Sequence, residues 1–307
     1  MKPLRLIFMG TPEFAVPSLK ALVESPHQVV TAYTQPPRKS GRGMKESKSP
    51  VHRFAEDHGI PVLTPENFKD KKDLETFKAL GAEVAVVAAY GLILPEAILT
   101  APSKGCLNIH ASLLPKFRGA APIQRAIEAG ETVSGNTIMK IEKGLDAGAI
   151  IIQEQFTLKP DETAGSLHDR LSDQAAGMIV PALEGYVAGK LVPKPQDETN
   201  TTYAPKVKKS ESRINWNAPA IEVDRKVRAF CPYPGAWFQH RGKRIRILKG
   251  HVVKASGAPG EVLDKSLTVA CKTGAYRIER VQRAGKKPMT AAEFLRGQPI
   301  APGEIVD

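Results

Sequence analysis

Over the first 190 residues, short apolar runs alternate with segments whose apolar positions recur at helical spacing. The runs predict buried strands at residues 4–9, 28–34, around Val62, and at 83–88, 106–110, 137–141 and 150–154. The periodic segments predict helices at residues 12–23, capped by Thr11, and at 51–58, 71–80, 95–99, 119–129 and 167–186. Continuous apolar strands that alternate with helices are typical of a doubly wound, parallel sheet. We therefore predict a Rossmann-like, mainly parallel α/β domain.

The pattern changes after residue 189. Residues 190–208 have the proline and polar content of a linker, and a second domain is predicted at 209–307. That domain has one helical stretch, 221–230, followed by short β-like runs at 244–248, 267–270 and 276–278, separated by glycine-containing turns. This arrangement predicts a C-terminal OB-like β-barrel, a fold that often binds nucleic acid. The domain prediction is thus 1–189, a linker at 190–208, and 209–307.

The net positive charge of the protein comes entirely from the last third of the chain. Residues 1–200 hold 23 Lys+Arg and 23 Asp+Glu, whereas residues 201–307 hold 21 and 9, so the whole net charge of +12 lies there. This asymmetry suggests a polyanionic partner, most simply a nucleic acid. A solubilising surface remains an alternative, because Arg241, Lys243, Arg244 and Arg246 could form a solvated strand face. Trp237 and Phe238 are expected in the core.

Composition and motifs exclude several classes. The chain is 42% apolar, and it shows neither a secretory signal nor an apolar stretch that could cross a bilayer, so we predict a cytoplasmic protein. Its three cysteines are too far apart for a disulfide framework or a zinc site, so no metal is predicted. Residues 10–14 lack the glycines of a dinucleotide fingerprint, and no phosphate-binding Gly-Lys-Ser/Thr loop occurs. NAD enzymes and NTPases are therefore disfavoured.

Candidate chemistry lies where two predicted strands end. Asn108 and His110 are two residues apart on a strand, so their side chains should project to the same face. Asp146 lies in a glycine-bounded loop between two later strands, where a carboxylate has no packing role. An amide, an imidazole and a carboxylate at one sheet edge could stabilise an oxyanion and move one proton.

These residues also carry a resemblance to a known family. The stretch 108–124, Asn-Ile-His-Ala-Ser-Leu-Leu-Pro-Lys-Phe-Arg-Gly-Ala-Ala-Pro-Ile-Gln, resembles the signature of the formyltransferases that use 10-formyltetrahydrofolate. The likeness extends to residues 144–148 and 8–14. The basic segment 35–50 and the added C-terminal domain make the chain most similar to those members of the family that formylate initiator methionyl-tRNA for translation initiation. The resemblance covers essentially the whole chain.

The resemblance implies roles for individual positions. It implies that Asn108, His110 and Asp146 are catalytic, and that Ser112, Leu113, Leu114 and Pro115 bind folate. Backbone groups of residues 87–92 and 142–146 are implied to hold the pterin. The donor would be 10-formyltetrahydrofolate, with no metal, and the protein would be a monomer with no membrane contact.

The segment 35–50 is implied to meet the tRNA acceptor stem, with Arg42 as its contact. The segment contains five basic residues and one acidic residue, and it is expected to be a mobile loop. The family often has Asp-Arg-Pro-Ala before this arginine, whereas this chain has Pro-Arg-Lys-Ser at 37–40.

Other functions remain open from the sequence. The same N-terminal fold could pass a formyl group to glycinamide ribonucleotide or to an amino sugar, or it could release the group to water. A noncatalytic RNA-binding module is an alternative from a different class. Transfer to a sugar or to a small ribonucleotide would leave the basic final third unexplained.

Overall fold

The computed structural model describes residues 2–40 and 45–307, which form two compact units. The first comprises Met1–Gly119, Val133–Phe156 and His168–Tyr203; the second comprises Ala120–Thr132, Thr157–Leu167 and Ala204–Asp307. The division does not follow chain order, because two short segments that precede residue 168 belong to the C-terminal unit. The chain-order boundaries at 189 and 209 stay a prediction.

The elements agree closely with the predicted ones. The helices are α1 (Val16–Glu24), α2 (Pro50–Asp57), α3 (Lys71–Ala79), α4 (Glu96–Leu99), α5 (Pro122–Ala129), α6 (Ala164–Val187), α7 (Ala220–Ala229) and α8 (Ala291–Gly297). Strands up to residue 157 are β1 (Arg5–Gly10), β2 (Gln28–Tyr33), β3 (Arg38–Ser40), β4 (Lys45–Ser47), β5 (Val62–Leu63), β6 (Val84–Ala88), β7 (Cys106–His110), β8 (Arg118–Gly119), β9 (Val133–Lys140) and β10 (Ile150–Thr157). The later strands are β11 (Tyr203–Ala204), β12 (Trp237–His240), β13 (Lys243–Val253), β14 (Thr268–Ala270), β15 (Ala275–Arg283) and β16 (Met289–Thr290).

The first unit is built on a seven-stranded sheet in the order β10-β9-β7-β6-β1-β2-β5. The pairs β1–β2, β1–β6, β2–β5 and β6–β7 are parallel, and β7–β9 is antiparallel. Every residue of β6 is buried, which explains its uninterrupted apolar sequence. The prediction of a mainly parallel, Rossmann-like sheet is confirmed.

The order of the strands determines where a ligand can bind. Strand β1 lies inside the sheet. The chain continues from it to β2 and β5 on one side, and then crosses to β6 and β7 on the other side. In open α/β sheets a crevice forms beyond the carboxyl ends of the strands at such a switch point. Parallel strand β7 ends at His110 on this same edge, so Asn108 and His110 lie where the topology favours a site.

Three local predictions are wrong. The Thr11 hydroxyl does not cap a helix; it donates to the Tyr90 carbonyl at 2.9 Å, and a 3-10 turn at Glu13–Ala15 precedes α1. The helix expected from residue 119 begins at Pro122, because Gly119 has a positive φ of 119° and belongs to β8. The segment 35–50, expected to lack regular structure, contains the antiparallel pair β3–β4. Arg42 lies outside the described residues.

The second unit contains a five-stranded antiparallel sheet in which β13 and β15 are central. Helix α7 packs against β13, and α5 packs against α7. This sheet confirms that the C-terminal domain is built on antiparallel strands, and α7 lies where the sequence predicted its one helical stretch. Phe238 is fully buried as predicted, but the prediction that Trp237 is core is wrong, because its indole is only partly buried.

Two further findings concern membrane-spanning helices and the cysteines. Within residues 2–40 and 45–307, no helix is long and apolar enough to cross a membrane. Cys106, Cys231 and Cys271 are free, and burial raises the pKa of each thiol.

Candidate active site

Asn108, His110 and Asp146 converge at the carboxyl end of β7. Asn108 Nδ2 lies 3.5 Å from Asp146 Oδ1, and His110 Nδ1 lies 3.7 Å from Asp146 Oδ2. The strand periodicity therefore does place the amide and the imidazole on one face, and the loop after β9 brings the carboxylate to them. His110 is buried at 6% exposure, and Asp146 retains 18% of its side-chain exposure, so substrate can still reach the carboxylate.

His110 is oriented by the backbone of the turn that follows β7. Its Nε2 lies 2.9 Å from the Phe117 carbonyl oxygen. A carbonyl can only accept, so Nε2 carries a proton and donates it there. Nδ1 is then the ring nitrogen that faces Asp146. The sequence could place His110 in the site, but it could not show which nitrogen is available.

The same turn holds Asp146. The Gly119 amide donates to Asp146 Oδ2 at 2.8 Å, which leaves Oδ1 facing Asn108. Asp146 has a φ of +49°, a left-handed conformation that costs a residue with a side chain roughly 1–2 kcal/mol. Two residues on, a Cβ at Gly148 would lie 1.9 Å from the Lys140 carbonyl oxygen, so only glycine fits there. Asp146 therefore lies on a tight, specifically held turn.

The segment predicted to bind folate forms a compact turn of its own. The Ser112 hydroxyl donates to the Lys116 carbonyl at 2.7 Å, and the Leu114 amide donates to Thr137 Oγ1 at 3.0 Å. Ser112 and Leu114 are both buried, whereas Leu113 and Pro115 are partly exposed. Ser112 and Leu114 thus maintain the shape of the turn, and Leu113 and Pro115 form its solvent-accessible surface.

Thr137 and Gln153 were not identified from the sequence, although they hold this turn. Thr137 Oγ1 donates to the Ser112 carbonyl at 2.7 Å, and Gln153 Nε2 donates to the Leu114 carbonyl and to Thr137 Oγ1, both at 2.8 Å. Both residues lie on strands, where their polar side chains resemble ordinary strand positions. The pairing of β7 with β9 aligns His110 with Thr137, and the hydrogen bonds of Gln153 on β10 connect it with Thr137 and with the turn.

Two residues from distant parts of the chain also adjoin the site. Arg118 is buried at 3% exposure and donates to Gln196, whose amide nitrogen in turn donates to the Asp146 carbonyl at 2.8 Å. Gln196 lies in the segment predicted as a linker. Gln196 itself is buried, and the backbones of Lys194 and Ile150 pair at 2.7 and 2.8 Å, which fixes this part of the segment to β10.

The loops implied to hold the pterin expose apolar side chains. Ile93 and Leu145 are among the most exposed large hydrophobic residues of the first unit, and they follow β6 and precede Asp146, respectively. Ala89 and Gly91 have positive φ values of 49° and 81°, so the chain turns sharply where β6 ends. Across residues 2–40 and 45–307, no group of three His, Cys, Asp or Glu side chains could hold a metal ion.

The second unit carries a separate cluster of arginines. Arg244, Arg246 and Arg283 line a cavity of about 310 Å³ together with Gln282, Ala284 and Gly285. The Arg244 guanidinium lies over the Trp237 ring, 4.4 Å from its centre. Burial and the neighbouring Arg246 lower the pKa of Arg244, and Arg283 Nε is buried with no hydrogen-bond partner among the described residues. Such a cluster favours binding of an anion, because an anion can accept hydrogen bonds from all three guanidinium groups.

Comparison with known proteins gives the family of this chain. Residues 4–183 match the family described as formyl transferase, and residues 206–299 match the formyl transferase C-terminal domain. A methionyl-tRNA formyltransferase of Paramagnetospirillum magneticum is 53% identical over 304 residues, which cover 99% of this chain and 100% of that protein.

Solved structures share the fold. HypX from Aquifex aeolicus in complex with tetrahydrofolic acid has a TM-score of 0.59 at 20% identity, over 100% of this chain and 51% of that one. The sugar 3N-formyl transferase WlaRD, solved in the presence of dTDP and 5-N-formyl-THF, has a TM-score of 0.66 at 19% identity, over 94% of this chain and 100% of that one. Together with the geometry of the site, the family matches show that this chain belongs to the formyl transferase family.

Proposed function

We propose that this protein transfers the formyl group of 10-formyltetrahydrofolate to the α-amino group of methionine on initiator methionyl-tRNA. The product is N-formylmethionyl-tRNA. The observation that carries the proposal is the convergence of Asn108, His110 and Asp146 in a chain similar to methionyl-tRNA formyltransferases over nearly its full length. The basic C-terminal unit supports a tRNA acceptor over a sugar or a small ribonucleotide.

The reaction begins when the neutral α-amine attacks the formyl carbon. A new C–N bond forms, and the formyl oxygen takes up negative charge. Asn108 Nδ2 donates a hydrogen bond to that oxygen, an interaction that strengthens as the charge develops. The carbonyl then re-forms, the bond from the formyl carbon to folate N10 breaks, and tetrahydrofolate leaves. No covalent enzyme intermediate is needed.

One proton must pass from the attacking amine to the leaving N10. Asp146 accepts the proton that the amine loses, since its carboxylate is the partly exposed anion of the site. His110 acts through Nδ1, because Nε2 is engaged by the Phe117 carbonyl. Asp146 passes this proton to His110 Nδ1, the ring nitrogen that faces it, and His110 donates it to N10 as the bond between N10 and the formyl carbon breaks.

The formyl donor binds along the turn that follows β7. Leu113 and Pro115 contact the folate, while Ser112 and Leu114 keep the turn in shape through their internal hydrogen bonds. The loops 87–92 and 142–146 hold the pterin through backbone groups. Ile93 and Leu145 supply apolar surface beside it.

The acceptor stem of the tRNA binds to Arg42. We expect Arg42→Ala to raise the Kd for methionyl-tRNA about tenfold, because a charge-assisted hydrogen bond contributes about 1.5–3 kcal/mol. Binding of a formyltetrahydrofolate analogue should stay within threefold of wild type. The matched control is Lys72→Ala, which removes one positive charge from an exposed position of α3, outside segment 35–50, and should leave the Kd for tRNA within threefold of wild type. A tRNA titration unchanged by Arg42→Ala would contradict this assignment.

The arginine cavity of the second unit binds tRNA phosphates. We expect Arg244→Gln combined with Arg283→Gln to lower the slope of log K against log salt concentration by about 1–2, as expected for one or two lost phosphate contacts. The control pair, Lys254→Gln with Lys265→Gln, removes the same charge from exposed positions outside the cavity and should change the slope less. Equal slopes for the two pairs would argue against a specific phosphate site.

One assay tests the proposed function against its alternatives. Purified protein is given 10-formyltetrahydrofolate with charged initiator tRNA, glycinamide ribonucleotide, an amino sugar, or no acceptor. We expect rapid transfer to methionyl-tRNA alone, and its loss in His110→Ala. Faster transfer to another amine, or rapid hydrolysis without an acceptor, would refute the proposal. An unaffected His110→Ala protein would favour the noncatalytic alternative.

A further inference from the structure

Arg118 and Gln196 form a buried hydrogen-bonded pair beside the turn that carries Asp146. Arg118 Nε and Nη2 both donate to Gln196 Oε1, at 3.0 and 2.7 Å. A guanidinium has only donors, so the oxygen of the Gln196 amide must face it. The amide nitrogen is thereby directed to the opposite side, toward Asp146. Arg118 thus determines which way Gln196 points.

Gln196 holds the backbone on both sides of Ala147. Its Nε2 donates to the Asp146 carbonyl and to the Gly148 carbonyl, each at 2.8 Å. Asp146 has the left-handed φ of +49°, a conformation that persists only where its surroundings enforce it. The two hydrogen bonds supply that enforcement. They fix the direction in which the Asp146 side chain leaves the turn.

The charge of Arg118 is balanced without involving Asp146. Arg118 Nη1 and Nη2 bind Glu198 at 3.1 and 2.8 Å, which raises the pKa of Arg118 and lowers that of Glu198. A buried guanidinium with a bidentate carboxylate partner is a stable anchor. Glu198 is largely exposed, so solvent also screens the pair. The Asp146 carboxylate is left free for other partners.

Arg118 also lies between the two backbone groups that orient the site. The Phe117 carbonyl before it accepts from His110, and the Gly119 amide after it donates to Asp146. The Arg118 amide itself donates to the Thr202 carbonyl at 2.9 Å. The segment 196–202 therefore holds both the turn that contacts His110 and the turn that carries Asp146.

We propose that Gln196 is a positioning residue for Asp146 and that Arg118 orients it. The segment 196–202 is then part of the catalytic architecture, although its composition is that of a linker. This inference rests on the proposed role of Asp146. It predicts that loss of the Gln196 amide misplaces the carboxylate while both substrates still bind.

The first test is the kinetics of Gln196→Met, which keeps the length of the side chain and removes its hydrogen bonds. We expect kcat to fall about 10–100-fold, a typical result of misplacing a reacting group by about an ångström. The KM values for both substrates should stay within threefold. Gln196→Glu keeps an acceptor for Arg118, and it replaces the donor with a charged oxygen that the Asp146 and Gly148 carbonyls repel, so it carries the test if the methionine variant does not fold. The control Asp173→Ala removes an exposed carboxylate of α6, outside segment 196–202, and should keep wild-type kcat.

A double-mutant cycle separates positioning from a general structural role. If Gln196 acts through Asp146, its substitution should change kcat less than threefold in an Asp146→Asn background. If the kcat of the double variant falls by the product of the two single-variant effects, the proposal is overturned. A folded Gln196 variant whose kcat lies within threefold of wild type would also overturn it.

Hydrogen exchange provides a measurement that does not depend on the reaction. Amides in residues 140–149 should exchange at least tenfold faster in Gln196→Met than in the wild type or in Asp173→Ala. Unchanged exchange would overturn the proposal. If the wild type failed to formylate methionyl-tRNA, the proposed function would fall, and the exchange comparison would still test whether Gln196 holds the turn.

Discussion

Asp146→Asn should lower the single-turnover rate of formylation about a thousandfold and leave the Kd of a formyltetrahydrofolate analogue within threefold of wild type. Loss of a positioned general base typically costs 10²–10⁴-fold, or about 3–5 kcal/mol in the barrier. The asparagine keeps the size of the side chain and an oxygen that can accept from the Gly119 amide, so the turn should remain intact. Only the ability to accept a proton is removed.

The control for this experiment is Asp173→Asn on α6, which neutralises an exposed carboxylate in the same unit. It should keep the wild-type rate. An Asp146→Asn rate within threefold of wild type, about 0.7 kcal/mol in the barrier, would show that proton transfer does not depend on this residue.

Asn108→Leu should lower kcat about 10²–10³-fold, because it removes one donor to the developing oxyanion. Leucine branches at the same carbon as asparagine but is larger, and because Asn108 is the one partly buried position of β7, the strand should stay paired with β6 and β9. Ground-state binding of the folate analogue should remain within threefold, since the interaction is made mainly in the transition state. The rate is measured with methionyl-tRNA saturating.

Asn108→Asp separates the donor from the shape of the side chain. It preserves the shape but places a second carboxylate near Asp146, 3.5 Å from Oδ1 in the wild-type geometry. Like charges at that distance repel, so this variant should be slower than Asn108→Leu at neutral pH. If Asn108→Leu retains more than a third of the wild-type kcat, oxyanion stabilisation must come from another group.

The tRNA assignments rest on different parts of the chain. Arg42 lies outside the described residues and is supported by the resemblance of segment 35–50. The cavity lined by Arg244, Arg246 and Arg283 is a feature of the second unit alone. Because segments 120–132 and 157–167 belong to that unit, truncation after residue 205 would remove most of a compact body and leave these segments behind. Point variants are therefore the appropriate test of tRNA binding.

Local sequence patterns predicted most of the fold. Period-two exposure, apolar runs and turn residues depend only on neighbouring positions, so β6, β7, α6 and α7 were found with ends correct to within three residues. The wrong predictions concern positions where the same local pattern is compatible with two structures. Thr11 precedes a helix-like sequence, yet its hydroxyl bonds to Tyr90, 79 residues away.

By itself the sequence determined the α/β class, the shared face of Asn108 and His110, and the concentration of charge after residue 200. Each follows from local spacing or composition. Only the tertiary structure decided that Asp146 meets this pair, that His110 presents Nδ1, and that Gln196 and Arg118 hold the turn. These depend on hydrogen bonds between residues up to 78 positions apart, which no local periodicity records. A buried polar side chain becomes informative only once its partners are known, because burial without them would be too costly to persist.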